Sequence, residues 1–186
     1  LAQGAESLQR FLNSGLAQLC GKLGPILWQL PPEKQFDHSD LQAFLKLLPD
    51  SIASVPLRHA LEVRHESFRC AAFVDLAREY RITIVFTHSR DYPAIADLTG
   101  DFVYARLREA VASETTGYPP REIARWADRA QAWAAGKAPD DLSLISPASS
   151  SGRSRDVFVY FINGAKERAP AAAMTLLATL NERNKH

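Results

Sequence analysis

Near the N-terminus, apolar residues recur at three- and four-residue steps: Leu8, Phe11, Leu12, Leu16, Leu19 and Leu23. That is the period of one helix face, so the pattern predicts a helix over residues 6–23, ended by Gly24-Pro25. The run Ile26-Leu27-Trp28-Gln29-Leu30 is short, almost wholly apolar and closed by Pro31-Pro32, as expected of a strand buried on both faces of a parallel sheet. Ser39 is the expected cap of a helix through Leu48, with Leu41, Phe44, Leu45 and Leu48 on its inner face. A strand over 57–65, a helix near 70–80, a strand over 81–86 and, after a looser stretch, a strand over 101–107 follow. The helix expected to start near Pro119 carries Ile123, Trp126, Ala130 and Trp133 on one side. A strand over 156–161 and a helix over 170–181 complete the order. Residues 138–154, rich in Ser, Pro, Gly and Asp, read as a flexible surface insertion.

Alternating helices and strands predict a single α/β domain with a largely parallel sheet. Five strands suit either a doubly wound open sheet or part of a barrel. No strand is followed by a glycine-rich GxGxxG or GxxxxGK loop, which weakens the doubly wound reading. The two-residue strand period sorts the side chains further. Leu61 and Val63 share one face and Ala60, Glu62 and Arg64 the other. Tyr104 and Arg106 oppose Val103, Ala105 and Leu107; Thr83, Val85 and Thr87 oppose Ile82, Ile84 and Phe86. Each strand is apolar early and polar late, so Gln29, Glu62, Arg64, Thr87, Arg106 and Asn163 gather at one end of the sheet.

Composition narrows the partners. The 22 basic and 21 acidic residues are well mixed and leave a net charge of +1, without the basic stripe of a dedicated nucleic-acid binder. No apolar run reaches the roughly 20 residues that span a bilayer, and the start lacks the layout of a signal peptide, so a cytoplasmic protein is expected. Cys20 and Cys70 lie far apart without metal-ligand spacing and are expected to be reduced packing thiols.

The stretches GPILWQLPP (24–32), LEVRHESF (61–68), DFVYARL (101–107), EIARWADRAQAW (122–133) and DVFVYFINGAKERAPAAA (156–173) resemble, in order, the landmarks of the YecE-like family, domain of unknown function 72. The resemblance covers the whole chain. It implies a (β/α)8 TIM-like barrel of which this chain holds the last five strand–helix units and lacks about the first three. A full barrel needs roughly 250 residues, so the chain is expected to be truncated. Matching positions are Gln29, Pro31, Glu62, Arg64, His65, Tyr104, Arg106, Phe161, Asn163 and Pro170. Arg108-Glu109 stands where relatives show His-Gly, and Ile162-Asn163-Gly164 where they show two asparagines and an aspartate. The family brings no settled reaction with it.

Two chemical readings of the strand ends remain. Glu62 and His65 form the one acid–imidazole pair near a strand end and are the catalytic candidates, with proton transfer as their role. Against this, Glu62 pairs equally well with Arg64 or Arg106. Arg64 and Arg106 outnumber Glu62, and a planar guanidinium grips phosphate or carboxylate at two points. A small anionic metabolite is therefore the expected ligand, with Gln29, Arg64, Tyr104, Arg106 and Asn163 binding it and Lys166 and Arg168 near the start of the last helix. The alternative is a non-catalytic or nucleic-acid-related protein whose Lys166, Arg168 and loop 153–155 meet a phosphate backbone. His65 and His88 lack an inward aspartate beside them, so no metal is expected. No motif names a cofactor or an oligomeric state, and no GxSxG elbow is present.

Overall fold

The structure is a computed structural model that describes residues 4–147, 152–162, 164–183 and 185. Its first helix, α1 (Ala5–Leu12), is shorter than the apolar period predicts. Gly15 adopts φ 104°, a left-handed conformation that stops the helix, and Leu16–Lys22 continue as 3-10 turns broken at Cys20. The apolar side chains keep their purpose despite the break, because Leu8, Leu12 and Leu16 pack against Ile26 at the start of β1 (Ile26–Gln29). Helix α2 (His38–Leu45) starts one residue before the predicted cap. Its cap is Asp37, whose carboxylate accepts the Asp40 N–H at 2.7 Å.

An antiparallel pair, β2 (Ser51–Ile52) and β3 (Val55–Pro56), was not anticipated. Its turn uses Ala53 and Ser54 with φ of 47° and 67°, a two-residue geometry normally signalled by Asn-Gly or Asp-Gly. Strand β4 (His59–Glu62) is followed by α3 (Ala71–Glu79) and then by two short strands, β5 (Thr83–Ile84) and β6 (Phe86–His88). Arg81, read from sequence as the start of a strand, has φ 54° and closes the end of α3 instead, while the Ile82 N–H reaches back to Ala77 O. The remaining elements are β7 (Phe102–Leu107), α4 (Pro120–Ala134), β8 (Asp156–Phe161) and α5 (Ala169–Arg183). No described helix is long and apolar enough to cross a membrane.

The α/β class and the parallel pairing follow the expectation, but the barrel does not. The strands form three small sheets: β1-β4-β5 and β6-β7-β8, both parallel, and the β2-β3 pair. Among the described residues no barrel closes, and the expected (β/α)8 TIM-like architecture is corrected to an open, mostly parallel α/β arrangement. The row stays open because β1 and β8 do not pair with each other among the described residues, and it is also broken in the middle. The chain from Thr83 to His88 pairs with β4 on one side only before Val85 and with β7 only after it. One strand is thereby divided between two sheets, and β1 and β8 end the row as edges.

Strand alternation sorts the core as the period requires. Leu61, Val63, Ile82 and Ile84 pack with Leu41, Leu45, Phe73 and Leu76 of α2 and α3. Phe86, Val103, Ala105 and Leu107 pack with Ile123, Trp126 and Trp133 of α4 and with Ala172 and Leu176 of α5. The opposite face holds a smaller cluster of Ala60, Val85, Phe102 and Tyr104, joined by Leu27 and Phe158. Burying these apolar surfaces on two sides is what holds the two sheets in line. The insertion read over 138–154 falls partly outside the described residues, which omit 148–151. Before that gap the chain is tied down: buried Asp97 accepts the N–H groups of Ile145 and Ser146 at 2.9 and 2.8 Å, and Arg78 donates to Ser146 Oγ.

His59 locks the first strands together. The Trp28 indole N–H donates to His59 Nδ1 at 3.1 Å, so the ring proton sits on Nε2, which donates to Pro49 O at 2.9 Å. Burial pushes this imidazole below its ordinary value of 6.5, because the charged ring would lose its hydration. The stabilisation it provides is therefore complete above about 6.5 and is lost as pH falls below that value toward the lowered folded pKa. Melting temperature is expected to fall between pH 7.5 and 5.5, and to fall less in His59→Gln. An equal fall in both proteins would show that His59 does not carry the effect.

Candidate functional site

The polar ends of the parallel strands meet at one edge, and register brings them there. Gln29 and Glu62 are paired positions of β1 and β4, and Thr87, Arg106 and Tyr160 are paired positions across β6, β7 and β8. Paired positions on neighbouring parallel strands point to the same face about 4.8 Å apart, so their side chains stand side by side. Glu62 is completely buried. One carboxylate oxygen accepts from Arg64 Nε at 3.2 Å and the other from the Arg106 guanidinium, while Arg108 lies 3.8 Å from the first. Gln29 Oε1 accepts from Arg64 at 2.6 Å and from Arg106 at 3.2 Å. The side chains of Arg64, Arg106 and Arg108 are only 15%, 17% and 11% exposed.

Tyr92, on the loop between β6 and β7, lies between two of these cations. The Arg64 and Arg108 guanidinium carbons stand 4.8 and 5.0 Å from its ring centre. An aromatic face offers both cations favourable electrostatics and keeps two like charges close to one carboxylate. Within the cluster three guanidinium groups face one carboxylate, a formal surplus of two positive charges. Thr87, paired with Arg106, has a buried hydroxyl without a hydrogen-bond partner.

Four of the residues singled out from sequence thus form one hydrogen-bonded group: Gln29, Glu62, Arg64 and Arg106. Tyr104 lies two positions before Arg106 on the same face and stacks on Tyr160, ring centres 4.8 Å apart and planes at 24°. Burial, reinforced by Tyr160, pushes the Tyr104 phenol up to about 12, so it is a neutral hydrogen-bonding group at physiological pH. His65 is engaged elsewhere. Its Nδ1 accepts the Ser67 N–H at 3.1 Å and caps the 3-10 turn Glu66–Phe68. Asn163 lies outside the described residues.

Arg108 and Tyr92 were missed as site residues. Arg108 carried a usable signal, because 104, 106 and 108 continue one strand period past the end of β7. Tyr92 carried none, since it comes from an irregular loop. Among the described residues, no three His, Cys, Asp or Glu side chains gather closely enough to hold a metal ion. Lys166 and Arg168 follow β8, whereas Arg153 and Arg155 precede it. Six strand residues, about 20 Å, separate the two groups. A cleft of about 540 Å³ lies at the opposite ends of the strands, lined by Arg58, His59, Arg81, Asp101 and Arg155 among others. There Arg58 is paired with Asp156 at 2.6 Å and Arg155 donates to Gly100 O.

The full length, residues 1–186, matches the family model described as "Protein of unknown function DUF72". The chain belongs to the DUF72 family. The resemblance read from its sequence landmarks is borne out. A DUF72 family protein from Enterococcus faecalis is 17% identical, with a TM-score of 0.67 over 95% of this chain and 66% of that one. A DUF72 family protein from Thermotoga maritima is 16% identical, with a TM-score of 0.65 over 98% of this chain and 66% of that one. The chain therefore spans just under two thirds of the length of these solved DUF72 proteins, and at such identities the likeness concerns the fold alone. No curated protein matches the chain.

Because Glu62 is buried among cations, its removal leaves charges unpaired in a poorly solvated place. Glu62→Gln is expected to destabilise the DUF72 fold by about 3–5 kcal/mol. Adding Arg106→Met should recover part of that loss, because it removes one orphaned charge and keeps an apolar stem. Urea denaturation of the single and double variants measures both changes.

Proposed function

We propose that this edge of the DUF72 fold binds a small anionic metabolite, phosphorylated or carboxylated. The observation that carries this reading is the excess of guanidinium groups over carboxylate around Glu62. Glu62 acts in it as the fixed counter-ion that pre-positions Arg64 and Arg106, since both its oxygens already accept hydrogen bonds from guanidinium groups. Arg106 and Arg108 are the clamps, with Arg108 contributing the most adjustable charge because it lies furthest from the carboxylate. Planar forks of this kind engage phosphate or carboxylate through two parallel hydrogen bonds. Gln29 turns its carbonyl oxygen to two arginines, which leaves its amide N–H groups for an incoming oxygen. Tyr104 supplies a neutral phenol at the base of the same face.

Thermal-shift measurements with inorganic phosphate, pyrophosphate and citrate at constant ionic strength test the reading. At a hundredfold excess over Kd, a bound anion raises the melting temperature by about 5–10 °C. The shift should vanish in Arg108→Met, with circular dichroism checking that the variant folds, because Arg108 is 11% exposed and lies 3.8 Å from Glu62. If none of the three anions stabilises the unmodified protein more than sodium chloride does, the reading fails.

A further inference from the structure

We propose that the ligand of this site carries a planar aromatic ring beside its anionic group, as a nucleoside monophosphate does, and that Tyr160 is the surface on which the ring stacks. The inference rests on the anion reading above and adds the chemical class of what the anion is attached to.

Three observations lead to it. Register pairs Tyr160 with Arg106 across β7 and β8, so the phenol ring and the clamping guanidinium rise from neighbouring strands on the same face. Tyr160, on the edge strand β8, is 40% exposed, and this exposure sits beside the charge surplus. The ring is also held. One side stacks on Tyr104, which is 8% exposed, so the solvent-facing part of Tyr160 is its other side and its edge.

The alternation along β8 sharpens the contrast. Phe158, two residues earlier on this face, packs into the cluster of Ala60, Val85, Phe102 and Tyr104. Tyr160 is the next side chain on that face and is the one left open. A ring with one supported face, next to an arginine, is the arrangement by which proteins hold a base and its phosphate together. A ligand bearing an anion alone would leave this surface in water. A purely apolar ligand would leave the guanidinium groups without an anion. A ligand bearing both satisfies both.

Calorimetric titration of the full chain with adenosine 5′-monophosphate and with ribose 5-phosphate separates the two parts of the site. In the unmodified protein the nucleotide is expected to bind about tenfold more tightly, the advantage typical of one stacked base. Tyr160→Ala should bring the ratio of the two affinities close to one, and Tyr160→Phe should preserve it, since Phe keeps the ring. Circular dichroism and melting temperature confirm that the exposed position tolerates both changes. Equal affinities in the unmodified protein, or a nucleotide advantage that survives in Tyr160→Ala, overturn the stacking inference while ribose 5-phosphate binding upholds the anion reading. If ribose 5-phosphate and the nucleotide both fail to bind, the anion reading falls and takes this one with it.

Discussion

The buried carboxylate of Glu62 is the constraint around which the polar edge of this DUF72 fold is organised. A fully buried anion costs several kcal/mol unless its lone pairs are met, and here they are met by guanidinium groups arriving from two different strand ends. That requirement couples β4 to β7, although the two are not hydrogen-bonded neighbours and the strand between them is divided at Val85. Gln29 extends the coupling to β1, because its carbonyl oxygen accepts from the same two arginines. One charge thus ties together three strands drawn from two sheets.

The apolar faces make that geometry possible. Strand alternation sends Leu61, Val63, Val103 and Ala105 toward the helices and leaves Ala60, Val85, Phe102 and Tyr104 on the other side. With both faces committed to packing, a slip of one residue along a strand would turn its apolar set the wrong way, so register is strongly held. Held register is what makes Gln29 face Glu62 and Arg106 face Tyr160. The chemistry of the edge is in this sense a product of hydrophobic packing several residues deeper in the sheet.

The two ends of the strands differ in how their charges are balanced. At the opposite end, the cleft holds arginines whose partners are close by, such as Asp156 for Arg58. At the Glu62 end, three cations share one anion, and an aromatic ring rather than a second carboxylate separates two of them. Volume alone would favour the cleft as a site. Charge balance and hydrogen-bond direction favour the Glu62 edge for the proposed anion, because three guanidinium groups there share one carboxylate.

Sequence alone determined the order of the main helices and parallel strands, the family, and which strand residues share a face, because all three follow from local periodicity and from motifs contiguous in the chain. Gln29, Glu62, Arg64 and Arg106 were legible for that reason: each sits late on a strand or, like Arg64, just past its end, on the face away from the helices. Other features depended on groups distant in sequence or on backbone torsions that periodicity does not encode. Gly15 ended the first helix early, Ala53 and Ser54 formed a turn without the usual residues, and the chain split its pairing at Val85, so the parallel strands fall into two sheets. His65 was drawn to Ser67, two residues on, rather than toward Glu62, because the Ser67 N–H at the start of the 3-10 turn offered it a closer partner. Tyr92 joined the site only through tertiary packing, since a loop ring acquires meaning when the fold sets the Arg64 and Arg108 cations on either side of it.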